Sequence, residues 1–289
     1  MAMQMAATTA PRSHWRATPR SDLTRDARTW QVLSLGLLLT YGVVQLEFDQ
    51  APGNIALIIC CALATQWVCT RTLTDKPFDP LSPLITGLSL CLLLRSSSPV
   101  VLMLAAVLGI GSKFALRVEG KHLFNPANFA IAVLLLVSDA VWISPAQWGS
   151  RTWAAFLFAS LACLVLSRAR RADIAVAFLA TYVAILLARA LYLGDPLAIP
   201  MKQMQSGALL LFTFFMITDP KTTPDRRSAR VLFAMVVAVT AAWLQFAHYM
   251  PQGLIYALFF TSPLVPLLDR VFPRERHEVR FEWSRPVLN

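Results

Sequence analysis

Long apolar segments alternate with short polar ones over most of the chain. The apolar runs cover residues 30–46, 53–70, 81–94, 99–111, 126–143, 152–166, 174–193, 206–218, 231–247 and 251–268. A helix needs about 20 apolar residues to cross a bilayer, with a range of about 17–25. Several runs reach this length, whereas 81–94 and 206–218 are shorter. The pattern predicts an all-α integral membrane protein with about ten transmembrane helices, some of them short or broken.

Composition agrees with a chain that is buried in lipid. Of its 289 residues, 56% are hydrophobic and 15% are charged, against about 45–50% and about 25% in soluble domains. The formal net charge of +10 lies in tails and short loops between apolar runs, which favours a membrane surface over nucleic acid. The predicted partner is therefore the lipid bilayer, and we expect no nucleic acid.

The distribution of basic residues predicts the orientation of the helices. With residues 1–29 in the cytoplasm, all but four of the 26 Lys and Arg residues fall on the cytoplasmic side. Such a bias is the positive-inside rule. It predicts a multi-pass protein of the bacterial inner membrane with both termini in the cytoplasm. Residues 1–29 are expected to be a disordered tail rather than a cleaved signal, because no apolar core precedes residue 30, and 271–289 a second cytoplasmic tail.

The two short apolar runs occupy corresponding places in two halves of the chain. Each begins with a small hydroxyl residue and a glycine, Thr86-Gly87 in one and Ser206-Gly207 in the other. Each is followed by a polar turn and, further on, by a helix that opens with proline. With five helices in each half, the second half crosses the bilayer in the opposite direction, as in transporters built from inverted repeats.

This pattern predicts two inverted five-helix repeats with short broken helices, at residues 30–143 and 152–270. Chance similarity between two apolar hairpins is the alternative.

Several kinds of chemistry lack their residues in this sequence. Asp139, Glu47 and Asp195 lie at or near helix ends, so a self-contained proton or sodium carrier is not favoured. The histidines all lie outside the apolar runs, which leaves a haem between helices without ligands. The cysteines form no metal-binding pattern, and no phosphate-binding glycine loop is present.

The first candidate cluster lies at the start of the fifth apolar run. It contains Lys121, His122, Asn125, Pro126 and Asn128. Asn125 before Pro126 is a favourable start for a helix, and the free N–H groups there attract an anion or an electron-rich ring edge. Simple capping of a membrane helix is the alternative interpretation. Asn128 argues for a partner, since an amide in apolar surroundings needs one.

The second candidate cluster follows the second short run. Pro220 keeps Asp219 out of helical geometry, so the helix ends with free carbonyl groups next to a carboxylate and Thr218. Such an acceptor-rich site suits a cation or the N–H groups of a ring. A turn with a solvated Asp219 is the alternative.

Three motifs carry a resemblance to a known family. They are SKFALRVEGKHLFNPANFAI at 112–131, SGALLLFTFFMITDPKTTPDRR at 206–227 and PQGLIYALFFTSPLVPLLDRVFPR at 251–274. Over residues 30–273 the chain resembles the RnfD component of the Rnf electron-transport complex and the NqrB component of the sodium-pumping NADH:quinone oxidoreductase. The resemblance implies ten helices in two inverted repeats, a shape related to urea and ammonium channels, and flavin-mediated electron transfer coupled to ion movement. The chain is also similar to membrane proteins found with enediyne biosynthesis genes.

One family feature is absent. In the family, a loop after the FNPA helix carries a motif of the type D-G-x-S-x-A-T, whose threonine binds FMN covalently. Here the loop is reduced to residues 144–151 and lacks this motif. Elsewhere in the chain, Ser206-Gly207-Ala208 resembles part of the motif, but Leu209 stands in place of the threonine. Covalent FMN is therefore not expected, whereas the family also binds riboflavin without a covalent link.

The leading hypothesis is a membrane subunit of a flavin-dependent electron-transfer system, with non-covalent riboflavin or FMN and other redox subunits as partners. The expected cofactor-binding residues are Lys121, His122, Asn125, Pro126, Asn128, Ser206, Gly207, Thr218 and Asp219. Among them, Lys121 and His122 are expected to tune the reduction potential of the ring. The first alternative is a passive transporter or channel for a small solute, and the second is a scaffold without cofactor.

Overall fold

A computed structural model of the protein describes residues 26–143 and 172–273. The expectations for the two tails, for the attachment loop at 144–151 and for the apolar run at 152–166 fall wholly or largely outside these residues.

The first described part consists of five helices and two small antiparallel ladders. The helices are α1 (Ala27–Gln45), α2 (Pro52–Leu73), α3 (Leu81–Leu93), α4 (Pro99–Ala115) and α5 (Pro126–Val137). The strands are β1 (Leu94–Ser96), β2 (Arg117–Val118), β3 (Lys121–His122) and β4 (Val141–Ile143), with β1 paired to β4 and β2 to β3. Three of the helices open with proline, which fits the first helical turn because its missing N–H needs no partner there.

The second described part is also helical. Its helices are α6 (Ala172–Leu193), α7 (Ala198–Met204), α8 (Gly207–Leu211), α9 (Arg227–Phe246), α10 (Gly253–Thr261) and α11 (Leu264–Val271). Helix α8 continues into a π-helical turn, Phe212–Met216. Such turns are rare and are often found at functional sites.

Several helices have the length or the composition of membrane helices. Three of the described helices, α2, α6 and α9, are long and apolar enough to cross a bilayer, and the bent pair of α10 and α11 would make a fourth. Four shorter apolar helices accompany them, at Leu81–Leu93, Pro99–Ala115, Pro126–Val137 and Gly207–Met216. The fold is that of a multi-pass membrane protein, while the count of ten helices stays a prediction.

The structure corrects four of the predicted boundaries. Helix α1 begins at Ala27, so the last residues of the predicted tail 1–29 are helical. The helix predicted at 81–94 ends at Leu93, and Leu94 begins a strand. The helix predicted at 126–143 ends at Val137. The run 251–268 is not one helix, because α10 and α11 meet at an angle of 50°.

The helices of the two parts pack in matching pairs. Helix α2 packs against α4 as α6 packs against α9, and α4 packs against α5 as α9 packs against α10. Helix α5 contacts α10 and so joins the two parts. Two inverted repeats would produce these pairs, and the repeat arrangement itself stays a prediction.

A glycine permits the close approach of α4 to the start of α5. A Cβ atom added at Gly109 would lie 2.9 Å from the carbonyl oxygen of Pro126 and 3.3 Å from Cγ2 of Thr86. The first turn of α5 is therefore held tightly against α3 and α4.

Candidate functional site

The two polar clusters meet where α5 begins. The side-chain amide Nδ2 of Asn125 lies 3.5 Å from Oδ2 of Asp219, the long limit of a hydrogen bond, and 3.4 Å from the carbonyl oxygen of Met216. Oδ1 of Asn125 accepts a hydrogen bond of 3.1 Å from the backbone N–H of Asn128, which caps the helix. One side chain therefore starts α5 and contacts the end of the π-helical turn.

Asp219 is positioned by its own turn. Pro220 disfavours helical geometry at Asp219, and Oδ1 accepts a hydrogen bond of 3.0 Å from the backbone N–H of Lys221. The remaining carboxylate oxygen, Oδ2, lies towards Asn125.

Asn125 and Asp219 both line a cavity of about 240 Å³, here called the polar cleft. Its walls come from α1 to α5 and from residues 215–221, and they include Gln66, Thr70, Ser82, Thr86, Ser89, Lys113, Arg117, His122, Pro126 and Lys221. Pockets for small molecules usually measure about 300–1,000 Å³, so the cleft lies just below that range. In the predicted orientation it opens on the cytoplasmic side.

A buried lysine lines this cleft. Lys113 is 4% exposed, and its Nζ donates to Oγ of Ser82 at 3.0 Å and to the backbone oxygen of Ser82 at 3.2 Å. Within residues 26–143 and 172–273, no carboxylate oxygen lies close enough to Lys113 to form an ion pair. Arg28, by contrast, is paired with Asp26 and Asp79. Lys113 is therefore bonded to Ser82, and Asp219 and Asp79 interact with it electrostatically without forming an ion pair.

His122 is uncharged at physiological pH. Burial, followed by the charges of Lys113, Arg117 and Lys221, lowers the pKa of His122 to about 3. Its Nδ1 lies 3.1 Å from the carbonyl oxygen of Lys113. A carbonyl accepts only, so Nδ1 carries the proton and Nε2 is left as an acceptor. His122 is thus a hydrogen-bonding group of the cleft rather than a cation.

Lys121 lies outside the polar cleft. It belongs to a tight hairpin whose turn residues, Glu119 and Gly120, both have positive φ. Its Nζ lies 2.7 Å from a carboxylate oxygen of Asp225 and 2.7 Å from one of Asp269. Lys121 therefore ties the first part of the chain to the second and has its charge balanced there.

Asn128 and Thr218 are buried behind the cleft and do not line it. Asn128 is fully buried, and neither Oδ1 nor Nδ2 has a hydrogen-bond partner among the described residues. The hydroxyl of Thr218 donates to the carbonyl oxygen of Phe214 at 2.7 Å. Asn128 thus keeps unmet hydrogen-bonding capacity, while Thr218 has a partner within its own turn.

Ser206, which precedes Gly207, lines a different cavity, which we call the apolar cleft. This cavity of about 340 Å³ is lined by Ser206 and mainly by apolar side chains of α8, α9 and α10. Helix α3 has Ser82 and Ser89 at the polar cleft and Leu93 at the apolar cleft. The structure thus brings His122, Asn125, Pro126 and Asp219 together and leaves Ser206 and Gly207 apart from them.

Sequence reasoning missed the wall of the polar cleft inside the first part. Gln66, Thr70 and Ser89 were not singled out, and Thr86 was noted only as a mark of the repeat. A usable signal exists, because Ser82, Thr86 and Ser89 recur at the three- and four-residue spacing of one helix face.

Comparison with known proteins yields one family. Residues 137–277 match the model of the NQR2, RnfD, RnfE family. Three relatives are each named as the D component of an ion-translocating oxidoreductase complex. That of Stutzerimonas stutzeri is 40% identical over 96 residues, 29% of this chain and 26% of the relative. That of Citrobacter koseri is 33% identical over 108 residues, which are 37% of this chain and 30% of the relative. That of Escherichia coli O7:K1 is 31% identical over 136 residues, which are 46% of this chain and 36% of the relative.

The matched region thus spans about a quarter to a third of the length of these relatives. The family match contains the second and third of the three sequence motifs, at 206–227 and 251–274. The resemblance is confirmed over residues 137–277, where the chain is similar to the NQR2, RnfD, RnfE family.

Proposed function

We propose that this protein is the membrane subunit of an electron-transfer system and holds a non-covalent flavin, riboflavin or FMN, in the polar cleft. The observation that carries the proposal is the meeting of Asn125 and Asp219, which come from separate parts of the chain, at the rim of one cavity. The family match supports it, since the relatives are named as components of an oxidoreductase complex.

The groups around the polar cleft suit a flavin ring. The pyrimidine edge of the ring has both acceptors and an N–H donor, and Asn125 offers an amide while Asp219 offers a carboxylate. When bound, the flavin would supply electron transfer. Gln66 also lines the cleft, and its Nε2 hydrogen-bonds to Thr70 beside it.

The charges of the cleft assign different roles to its basic residues. Lys113, when protonated, favours added negative charge on the ring. Neutral His122 offers hydrogen bonding. Lys121 fixes the hairpin through two carboxylates and is not expected to tune the ring.

Covalent attachment forms no part of the proposal. The position after Ser206-Gly207-Ala208 is Leu209, which has no hydroxyl and is buried. The relatives belong to a complex, so we propose that other redox subunits bring and remove the electrons. Asn125, Asp219 and Lys113 hold and orient the ring between those partners.

The test is to purify the full chain in mild detergent, record its absorption and denature it in acid. We expect a flavin spectrum, with all flavin released into solution and no fluorescence left on the denatured chain. A colourless protein that releases no flavin contradicts the proposal. Solute flux through proteoliposomes that is independent of reductant would then favour the passive channel.

A further inference from the structure

A groove runs along the surface where α6 packs against α9. Both helices are long and apolar enough to cross a bilayer. The groove has a volume of about 470 Å³ and is lined by Ile185, Val239, Ala242, Trp243, Phe246 and Ala247. Val239 and Trp243 are more than half exposed, so this apolar groove, here called the α6–α9 groove, is open to the lipid around the two helices.

The length of the α6–α9 groove is close to that of one leaflet of a bilayer. Val239 and Ala247 are eight positions apart, which corresponds to about 12 Å along a helix at 1.5 Å per residue. Half of the hydrocarbon core of a bilayer measures about 15 Å. An acyl chain that lies parallel to the helices therefore fits along the groove.

Aromatic side chains place one end of the groove at the membrane surface. Tyr192 stands at the end of α6 and Tyr249 just beyond the end of α9, and both are largely exposed. The ring of Trp243 packs edge to face against the ring of His248, with 4.3 Å between the centroids. Exposed Trp and Tyr side chains prefer the level of the lipid head groups, so the groove ends where a head group would lie.

A pair of opposite charges stands at the same end. The guanidinium carbon Cζ of Arg189 lies 4.6 Å from the centroid of the Phe246 ring, a cation–π contact. Gly194 has a φ of +73° and ends α6, and the backbone N–H of Asp195 donates to the carbonyl oxygen of Ala190 at 2.9 Å. The chain turns back there, which brings Oδ2 of Asp195 to 3.6 Å from Nη1 of Arg189.

This pair keeps hydrogen-bonding capacity on both sides. A separation of 3.6 Å is longer than a hydrogen bond, and within the described ranges 26–143 and 172–273 neither charged side chain forms a hydrogen bond. A guanidinium has five N–H donors, and a carboxylate has two acceptor oxygens. Both side chains are about one third exposed, so a ligand can reach them.

The two charges favour one kind of head group. Arg189 complements a phosphate, and Asp195 complements a cation next to that phosphate. A head group that carries only the phosphate charge would be repelled by Asp195. Phosphatidylethanolamine has a primary ammonium two carbons from its phosphate, and the ammonium N–H groups can donate to a carboxylate. The quaternary ammonium of phosphatidylcholine has no N–H group and cannot do so.

We propose that the α6–α9 groove is a binding site for one molecule of phosphatidylethanolamine. Its phosphate pairs with Arg189, its ammonium with Asp195, and one acyl chain lies in the groove against Val239 and Trp243. The cation–π contact with Phe246 holds the guanidinium at the mouth of the groove. The polar cleft contains none of these residues, so the inference does not depend on the flavin.

The experiment titrates full-length, delipidated protein in detergent with three lipids that have identical acyl chains. They are phosphatidylethanolamine, phosphatidylcholine and phosphatidylglycerol, and native mass spectrometry gives the Kd of the first lipid bound. The head-group variants are Arg189→Gln and Asp195→Ala. Their control is Lys202→Gln, which removes a charge from an exposed position on α7, outside the groove.

We expect the wild type to bind phosphatidylethanolamine at least threefold more tightly than either other lipid. Arg189→Gln should weaken all three about three- to tenfold, since all carry the phosphate and one charge-assisted hydrogen bond is lost. Asp195→Ala should remove the preference for phosphatidylethanolamine over phosphatidylcholine. Lys202→Gln should leave every Kd unchanged.

The acyl chain is tested by filling the groove. Val239→Trp adds a large side chain at an exposed lining position and should weaken all three lipids. Met235→Trp is the control, because Met235 is exposed one turn earlier on α9 and does not line the groove. Both positions face outwards, so this pair tests the site even if Arg189→Gln fails to fold.

Three outcomes overturn the inference. Equal Kd values for the three lipids in the wild type contradict the head-group site, as does an Arg189→Gln variant that binds like Lys202→Gln. Equal effects of Val239→Trp and Met235→Trp contradict a chain in the groove. The flavin content of the purified protein should be the same in all of these variants.

Discussion

The polar cleft and the apolar cleft both lie beside the short helices, yet their walls differ in chemistry. The polar cleft is lined by a buried lysine, by the carboxylates of Asp79 and Asp219 and by Gln66. The apolar cleft contains few polar groups, and two of these, Tyr182 and Gln245, hydrogen-bond to each other. The polar cleft therefore presents charged groups to a ligand, whereas the main polar pair of the apolar cleft bonds to itself.

This contrast explains why a broken helix alone does not make a site. Both clefts border a short helix with a hydroxyl residue next to a glycine. Ser206 and Gly207 stand at the start of α8, and Thr86 and Gly87 lie within α3. Within residues 26–143 and 172–273, the α3 side combines the short helix with a buried lysine and the carboxylate of Asp219, whereas the cleft beside α8 has no charged group in its lining. Substitutions that alter one cleft at a time can therefore show which of the two clefts binds the ligand.

The largest effect is expected from Asn125→Ala. It removes the amide at the rim and the cap of α5, and we expect flavin content after purification to fall more than tenfold. The capping loss should also cost about 1 kcal/mol of stability. Asn125→Ser is the matched control, because serine restores the cap but does not reach Asp219. Thermal stability should recover in Asn125→Ser while flavin content stays low; full recovery of flavin would contradict the role of the amide.

The next effect is on the packing that positions α5. Gly109→Ala would place a Cβ atom 2.9 Å from the carbonyl oxygen of Pro126, and we expect a loss of about 1–3 kcal/mol with weaker flavin binding. Gly111→Ala on the same helix meets nothing within 4 Å and is the control. Unfolding temperatures in detergent measure both, and equal stability of the two variants would contradict the close approach.

A smaller effect depends on pH and on His122. The pKa of His122 is about 3 in the folded protein and about 6.5 in an unfolded chain. Between these values the unfolded chain binds a proton that the folded protein does not, so stability falls as the pH falls. Between pH 7 and pH 5 we expect His122 to account for a loss of about 1–2 kcal/mol.

His122→Gln should remove that part of the pH dependence, as measured by thermal unfolding at the two pH values. His248→Gln, at an exposed position outside the polar cleft, is the control. An unchanged pH dependence in His122→Gln would show that His122 is not held in its neutral form.

The smallest effect is predicted for the apolar cleft. Tyr182→Phe removes the hydroxyl that donates to Gln245, and we expect a loss of about 1 kcal/mol in stability with unchanged flavin content. If Tyr182→Phe loses as much flavin as Asn125→Ala, the flavin binds in the apolar cleft, and the proposed site is contradicted.

The sequence predicted the parts of the fold that depend on local patterns. Apolar runs and proline at helix starts located most of the described helices to within a few residues, and Pro220 predicted the break at Asp219. The bend between α10 and α11 was missed, because Pro263 lies inside a run that is apolar throughout.

The site was predicted in part, for a physical reason. Asn125 and Asp219 each stand at a helix end, which a local pattern reveals, and the structure places them in contact. The partners of Lys121 were not predictable, since Asp225 and Asp269 are far along the chain. Gln66 was missed because its role depends on which face of α2 borders a cavity, and that is decided by packing.

The most direct measurement of the central claim is an experimental density map of the detergent-purified protein. The account predicts planar density for a three-ring system at Asn125 and Asp219. A polar cleft that contains only water, with ring density in the apolar cleft beside Ser206, would contradict it.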